Sequence, residues 1–292
     1  MKPPPFHYVA AGTLEEALRC KAEHGPDAVA LAGGQSLLPR LNRRDARPKV
    51  VLDLGRAAGL AALDAGEDAV AVGAMTRMRD VELHDRVATR CPVLPEALGL
   101  VAHAAIRNRG TVVGSLAEAD RAGELPAVLL ALGGSVRASS AAGARTIAAE
   151  ELFTDHLTTS LAEDELITAA TFPSPGPGAG SAIRELARRH GDCALAGAVA
   201  VLHADGARVA AARLVAYGVA RTARRAYEAE ALLTGADATS EAFAAAAEAA
   251  IATVDAVDEE QASVAYRRDL LRTLVTRALD AAWARTRAEV IA

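Results

Sequence analysis

The sequence predicts an α+β chain in two parts, and three observations carry that reading. Through about residue 172, strand-like runs alternate with helical stretches. Pro173 to Gly180 then interrupts every periodicity. Past it a hairpin is followed by three helices, so that strands and helices are segregated. At 292 residues and 51% hydrophobic the chain can bury a sizeable core, which its length distributes over two domains, or three small ones.

Thr13-Leu14-Glu15-Glu16 has the form of a capping box, with Thr13 capping a helix that runs through His24 and Glu16 reaching back. Ala28 to Leu31 is a short strand that meets Gly33-Gly34, and Ser36-Leu37-Leu38 opens a helical turn, giving strand, glycine turn, helix. Val50 to Leu54 and Ala69 to Val72 are further strands, while Met75 to Leu83 and Leu94 to His103 read as helices. A second unit starts near Arg107: Thr111-Val112-Val113-Gly114-Ser115 reads as another strand entering a glycine turn, followed by a helix over Glu124 to Leu132. Gly133-Gly134 caps that helix, and Ser135 to Ala138, Arg145 to Ile147 and Glu165 to Phe172 are strands.

Residues 173–180, Pro-Ser-Pro-Gly-Pro-Gly-Ala-Gly, continue neither kind of element, because proline removes donors and glycine adds chain entropy; they are read as a linker. Ala194 to Ala204 and Val209 to Val219 are strands joined at Asp205-Gly206. The last helix, from about Tyr266, places Leu270, Leu271, Leu274, Ala278 and Ala282 on one stripe, a core-packing face.

Composition excludes several classes. A net charge of −5 with both signs interspersed presents no basic face for nucleic acid. No apolar run is long enough to span a bilayer and Met1 to Pro5 lacks a signal-peptide core, so a cytoplasmic location is expected. Cys20, Cys91 and Cys193 are too few and too scattered for a four-cysteine iron–sulfur cluster, so any such cluster sits on another chain. His103, His190 and His203 lack the spacing of a metal site, and no metal is expected. The Gly176 to Gly180 run has proline-rich flanks where a dinucleotide fingerprint needs a strand and a helix.

The chemistry therefore rests on the two glycine bends. A diphosphate needs several convergent donors, and backbone N–H groups supply them only where no Cβ blocks the approach. In Ala32-Gly33-Gly34-Gln35-Ser36 two glycines expose the backbone, and Gln35 and Ser36 add side-chain donors. Gly110 to Ser115 offers a second such bend, followed by Glu118, Asp120 and Glu124 as acceptors for ribose or ribityl hydroxyls. Two bends in successive units suggest one ligand held between them.

The run Leu31-Ala32-Gly33-Gly34-Gln35-Ser36-Leu37-Leu38-Pro39, then Ile106-Arg107-Asn108-Arg109-Gly110-Thr111, and Ala119-Asp120 with Glu124-Leu125-Pro126-Ala127, resembles the FAD-binding medium subunit of carbon monoxide dehydrogenase and the wider xanthine dehydrogenase family. Phe6-His7-Tyr8, Val72-Gly73-Ala74-Met75-Thr76 and Glu185 to Asp192 extend the likeness over nearly the whole chain. The resemblance implies a two-lobed FAD-binding fold of the vanillyl-alcohol-oxidase type (lobes about 1–55 and 56–172), with residues 181–292 as a covering C-terminal flavoprotein domain. It further implies a large molybdopterin-binding subunit and a small subunit with two [2Fe–2S] clusters as partners. FAD would relay electrons to an external acceptor, with no catalytic residue and no triad. Cofactor contacts carry over to Ala32, Gly33, Gly34, Gln35 and Ser36, to Thr111, Val113, Gly114 and Ser115, and to Asp120 and Glu124.

The chain departs from the family pattern at four places. Val113 replaces the first glycine of Thr-x-Gly-Gly, Glu118 stands where histidine is common, Arg121 where proline is common, and Cys193 where an aromatic residue often lies against the flavin. A β-branched residue disfavours positive φ and crowds a phosphate, so Val113 predicts weak FAD binding or a rebuilt loop. Two other readings follow from these departures: a stand-alone FAD-dependent dehydrogenase or oxidase of a small metabolite, and a scaffold that has lost FAD.

Overall fold

The computed structural model describes residues 2–257 and 262–286. Its first lobe is a three-stranded parallel sheet. Strand β1 (His7–Ala10) leads to helix α1 (Leu14–His24), which Thr13 caps by accepting from the Glu16 N–H at 3.1 Å. Glu16 returns its carboxylate to the Gly12 N–H at 2.7 Å, one residue before the partner a strict capping box would use. Strand β2 (Ala28–Leu31), helix α2 (Leu37–Arg43) and strand β3 (Val50–Asp53) complete the lobe in the order β1-β3-β2.

The second lobe is a five-stranded antiparallel sheet. Its members are β4 (Leu63–Ala65), β5 (Ala69–Gly73), β6 (Ser135–Ser140), β7 (Gly143–Ala148) and, after the small ribbon β8 (Phe153–Asp155) and β9 (Thr158–Thr159), β10 (Leu166–Pro173), in the order β4-β5-β10-β6-β7. Between β5 and β6 the chain runs through α3 (Met78–Glu82), α4 (Asp85–Arg90), α5 (Val93–Leu100), α6 (Ala104–Arg107), α7 (Val112–Glu118) and α8 (Glu124–Leu132), with the short α9 (Ala149–Leu152) after β7. Helix α8 is buried along its whole length, and Gly133 ends it in the left-handed conformation of a C-cap.

Two corrections belong here. Thr111 to Ser115 does not form a strand: Thr111 is extended and Val112 begins a helix. The Pro/Gly segment is shorter than 173–180, because Pro173 closes β10 and Ala179 and Gly180 already belong to β11 (Ala179–Ala187), a strand that Gly180, Ser181, Arg184 and Glu185 mask in the sequence.

The C-terminal sheet has the order β11-β12-β13-β14, with β12 (Ala194–Asp205), β13 (Arg208–Tyr217) and β14 (Arg224–Arg225). Strand β12 is buried at every position through Leu202, because both of its faces are covered. Val199 and Val201 join the core that reaches back to the second lobe, while Ala198, Ala200 and Leu202 pack under α10 (Tyr227–Leu233), α11 (Ser240–Thr253) and α12 (Val264–Thr286). The alternation is the two-residue period of a strand, so one strand divides its side chains between two cores. On α12 the predicted stripe is observed: Leu271, Leu274, Ala278 and Ala282 are buried and Leu270 packs beside them. The two halves are tied by Glu96 of α5, which accepts from Arg184 of β11 at 2.7 Å and from Arg285 of α12 at 2.5 and 3.0 Å.

Candidate FAD site

The first bend follows directly from the sheet. Leu31 ends β2, its carbonyl accepting from the Leu54 N–H at 3.0 Å, and the chain then turns through 32–36 into α2. Gly34 sits at φ 74°, where a side chain is strained. Gly33 has no strained φ, and its constraint is space: a Cβ there would lie 2.5 Å from the Arg109 carbonyl oxygen and 2.7 Å from Gly110 Cα. The two bends are therefore in backbone contact. Gln35 turns its amide back to the Gly33 carbonyl at 3.0 Å. Among the described residues no group accepts from the backbone N–H of Gly33, Gly34, Gln35 or Ser36, so four successive donors are left unengaged at the turn.

The second bend is built differently. Residues 110–112, extended at Thr111, are clamped to 76–78: the Met78 N–H donates to Gly110 at 2.9 Å, the Val112 N–H donates to Thr76 at 3.2 Å, and the Arg77 guanidinium donates to the Arg109 carbonyl. Thr111 then caps α7, its hydroxyl accepting from the Gly114 N–H at 3.0 Å. A Cβ on Gly114 would stand 2.6 Å from that hydroxyl oxygen, so the glycine is needed for room around the cap. Val113 lies in the first turn of α7 with ordinary helical backbone and is only 3% exposed, its side chain in the main core. Positive φ is not required at this position, which removes the physical reason for expecting Val113 to spoil the loop. The TVV run reads as a strand in the sequence because its extended entry is paired with 76–78.

Acidic groups form the facing wall. Glu118 ends α7, Ala119 turns left-handed at φ 52°, and Asp120 closes a turn by accepting from the Ala122 N–H at 2.9 Å. The β8–β9 ribbon supports this turn, with the Leu157 N–H donating to Ala119 at 2.9 Å and His156 Nδ1 accepting from the Arg121 N–H at 3.4 Å. Gln35, Ser36, Arg40, Glu118, Asp120 and His156 line a cleft of about 450 Å³. The structure thus brings Gln35 and Ser36 of the first bend and Asp120 to one cavity, whereas Ala32, Gly33, Gly34, Thr111, Val113, Gly114 and Ser115 are not among the residues that line it.

Glu124 is placed behind it, at the junction with the C-terminal sheet, and does not line that cleft among the described residues. Burial, and then the neighbouring Glu185 carboxylate, push its carboxyl up to about 8. Glu185 accepts from the Tyr217 hydroxyl at 2.8 Å and is itself raised by burial. The Gly218 N–H donates to the Arg121 carbonyl at 2.9 Å and carries the C-terminal sheet onto the same turn. Cys193 lies close enough to Asp120, Glu124 and Asp192 for their charges to add to the burial that raises its thiol. Sequence reasoning missed Arg40, His156, Glu185 and Tyr217, which come from elements remote from the glycine bends and carry no motif. Among the described residues no cluster of metal-ligating side chains occurs.

The donor set fits a dinucleotide diphosphate: unengaged amides at the first bend, carboxylates for hydroxyls on the facing wall, and a second bend packed against the backbone of the first.

Comparison with known proteins agrees with that fit. Residues 4–175 match the family described as the FAD binding domain in molybdopterin dehydrogenase, and residues 181–282 match the CO dehydrogenase flavoprotein C-terminal domain. The chain is 42% identical over 288 residues to the 6-hydroxypseudooxynicotine dehydrogenase complex subunit alpha of Paenarthrobacter nicotinovorans, covering 98% of this chain and 97% of that one. It is 35% identical to the carbon monoxide dehydrogenase medium chain of Hydrogenophaga pseudoflava, over 98% and 99% of the two chains. The solved structure of carbon monoxide dehydrogenase from H. pseudoflava, lacking the Mo-pyranopterin moiety, superposes with a TM-score of 0.95 at 37% identity over 98% of this chain and 99% of that one.

Proposed function

The chain belongs to the family of FAD-binding medium subunits of carbon monoxide and xanthine dehydrogenases, and from that premise we propose that it is the flavin subunit of a molybdenum hydroxylase, relaying electrons from iron–sulfur clusters to an external acceptor. FAD, when bound, supplies the redox chemistry, and the protein supplies binding, position and exclusion of water. In this reading 33–36 donate to the diphosphate, Thr111 to Ser115 hold the second bend against them, Asp120 accepts from hydroxyls of the cofactor, and Glu124, which does not line the cleft, supports the turn from behind. Residues 1–172 form the FAD-binding part, and 181–292 cover the flavin. The partners are a molybdopterin-binding large subunit and a small subunit with [2Fe–2S] clusters, and the complex is placed in the cytoplasm; no helix among the described residues is long and apolar enough to cross a membrane.

The observation that carries the proposal is the backbone contact between Gly33 and Arg109–Gly110, which makes one composite site of two bends 76 residues apart (109 − 33). The chain is to be co-expressed with its genomic neighbours, purified, and its visible spectrum and subunit composition recorded. A yellow protein that co-purifies with cysteine-rich and molybdopterin-binding chains is expected. A colourless protein overturns the flavin assignment, and a yellow protein that is bleached by a metabolite without partners makes it a stand-alone dehydrogenase.

A further inference from the structure

We propose that Arg40 is a diphosphate-binding cation held ready by Glu118, so that their ion pair is a latch across the cleft that a diphosphate opens. The inference rests on the flavin reading and adds a residue to its binding machinery.

The first bend offers only neutral donors, whereas a diphosphate linkage brings roughly two negative charges at neutral pH. Glu118 and Asp120 line the same cleft and repel such a ligand. Of the cations at the cleft, Arg43 is engaged by Asp45 on its own segment, Nε to Oδ2 at 2.7 Å. Arg40 is the cation that faces the other wall. It follows Ser36 by one helical turn, its N–H donating to the Ser36 carbonyl at 3.3 Å, so the two side chains share a face of α2.

Arg40 reaches across 78 residues of sequence to Glu118, Nη1 to Oε1 at 3.4 Å, the long limit of a hydrogen bond. Its Nε and Nη2 have no acceptor among the described residues. A guanidinium with one long bond and a free edge is poised to exchange a carboxylate for a phosphate, which it binds through two parallel donors. Glu118 holds the guanidinium near the site while the cleft is empty and competes for it when a ligand arrives. Burial already raises the Glu118 carboxyl and so favours its neutral form once Arg40 leaves.

The full-length protein, stripped of flavin, is to be titrated with FAD, with ADP as a diphosphate probe and with riboflavin as a probe without phosphate. Arg40→Gln is expected to weaken FAD and ADP about tenfold, the value of a charge-assisted hydrogen bond. Glu118→Gln is expected to tighten both about threefold by removing a competitor worth little on its own. Riboflavin affinity is expected to be the same in all three proteins. If Arg40→Gln binds FAD as the wild type does, or if both variants weaken FAD and riboflavin alike, the pair is a structural brace and the latch is wrong. If the wild type binds neither FAD nor ADP, the flavin reading itself fails, an outcome distinct from failure of the latch alone.

Discussion

Residues 32–36 and 110–115 lie against each other, yet the first bend leaves four N–H groups of 33–36 unengaged, while the second commits Val112 to Thr76 and Gly114 to Thr111. Each contains glycine for a different reason. Gly34 needs its φ, Gly33 needs the absence of a side chain against a neighbouring backbone, and Gly114 needs room for a cap. In the proposed site the first bend is therefore the donor surface and the second is its scaffold. Acidic residues follow the scaffold and not the donors, so charge is divided between the walls as function is.

The largest effect that tests this division is in the acidic wall. The folded protein holds a proton on Glu124 up to about pH 8, while the unfolded chain releases it near the ordinary value of 4.5. Between those values the folded state binds the extra proton, so stability falls as pH rises, with a slope approaching about 1.4 kcal/mol per pH unit from this group. Asp120 and Glu185 reinforce the effect. Glu124→Gln is expected to flatten the curve of unfolding free energy from about pH 5 to about pH 8, measured by denaturant titration. An unchanged slope would mean that Glu124, behind the wall, is ionised throughout.

Next in size is the scaffold itself. Val113→Gly removes a buried side chain from α7 and is expected to cost about 3 kcal/mol in stability. Flavin per folded molecule should stay constant. A rise in flavin content in the variant would mean that the second bend also needs an open backbone, and the division would collapse. In the donor bend the expectation reverses. Gly33→Ala places a Cβ on the Arg109 carbonyl and Gly110 Cα, and it is expected to cost about 2 kcal/mol while abolishing flavin binding, because the bends must separate. Flavin absorbance per protein, read beside the thermal midpoint, distinguishes the two.

Much of this was legible in the sequence, for identifiable reasons. The Thr13 cap, the turn at Gly33-Gly34 into α2, helix α8, the hairpin at Asp205-Gly206 and the stripe on α12 are all set by local spacing, and the structure shows each of them. What misled was local pattern under tertiary control. The Thr111-Val112-Val113 run has β-branched residues, but pairing with 76–78 and the Thr111 cap decide its path. Strand β11 was hidden by its polar residues Arg184 and Glu185, of which Arg184 finds Glu96 across the domain junction and Glu185 finds Tyr217 within the C-terminal sheet. Arg40 and Glu118, 78 positions apart, belong to different lobes, and nothing in the spacing of one announces the other.

The smallest expected effect is the most discriminating for the scaffold. Thr111→Ala removes the hydroxyl that accepts from the Gly114 N–H, and loss of such a cap costs about 1 kcal/mol. It also frees that N–H. If the second bend is scaffold alone, the thermal midpoint drops modestly and FAD affinity follows it no further than the shared loss of order. If the freed amide can join the donor surface, FAD affinity holds or rises while stability falls. Titrating stripped Thr111→Ala with FAD and ADP separates these outcomes, and a rise with both ligands would move Gly114 from the scaffold to the diphosphate.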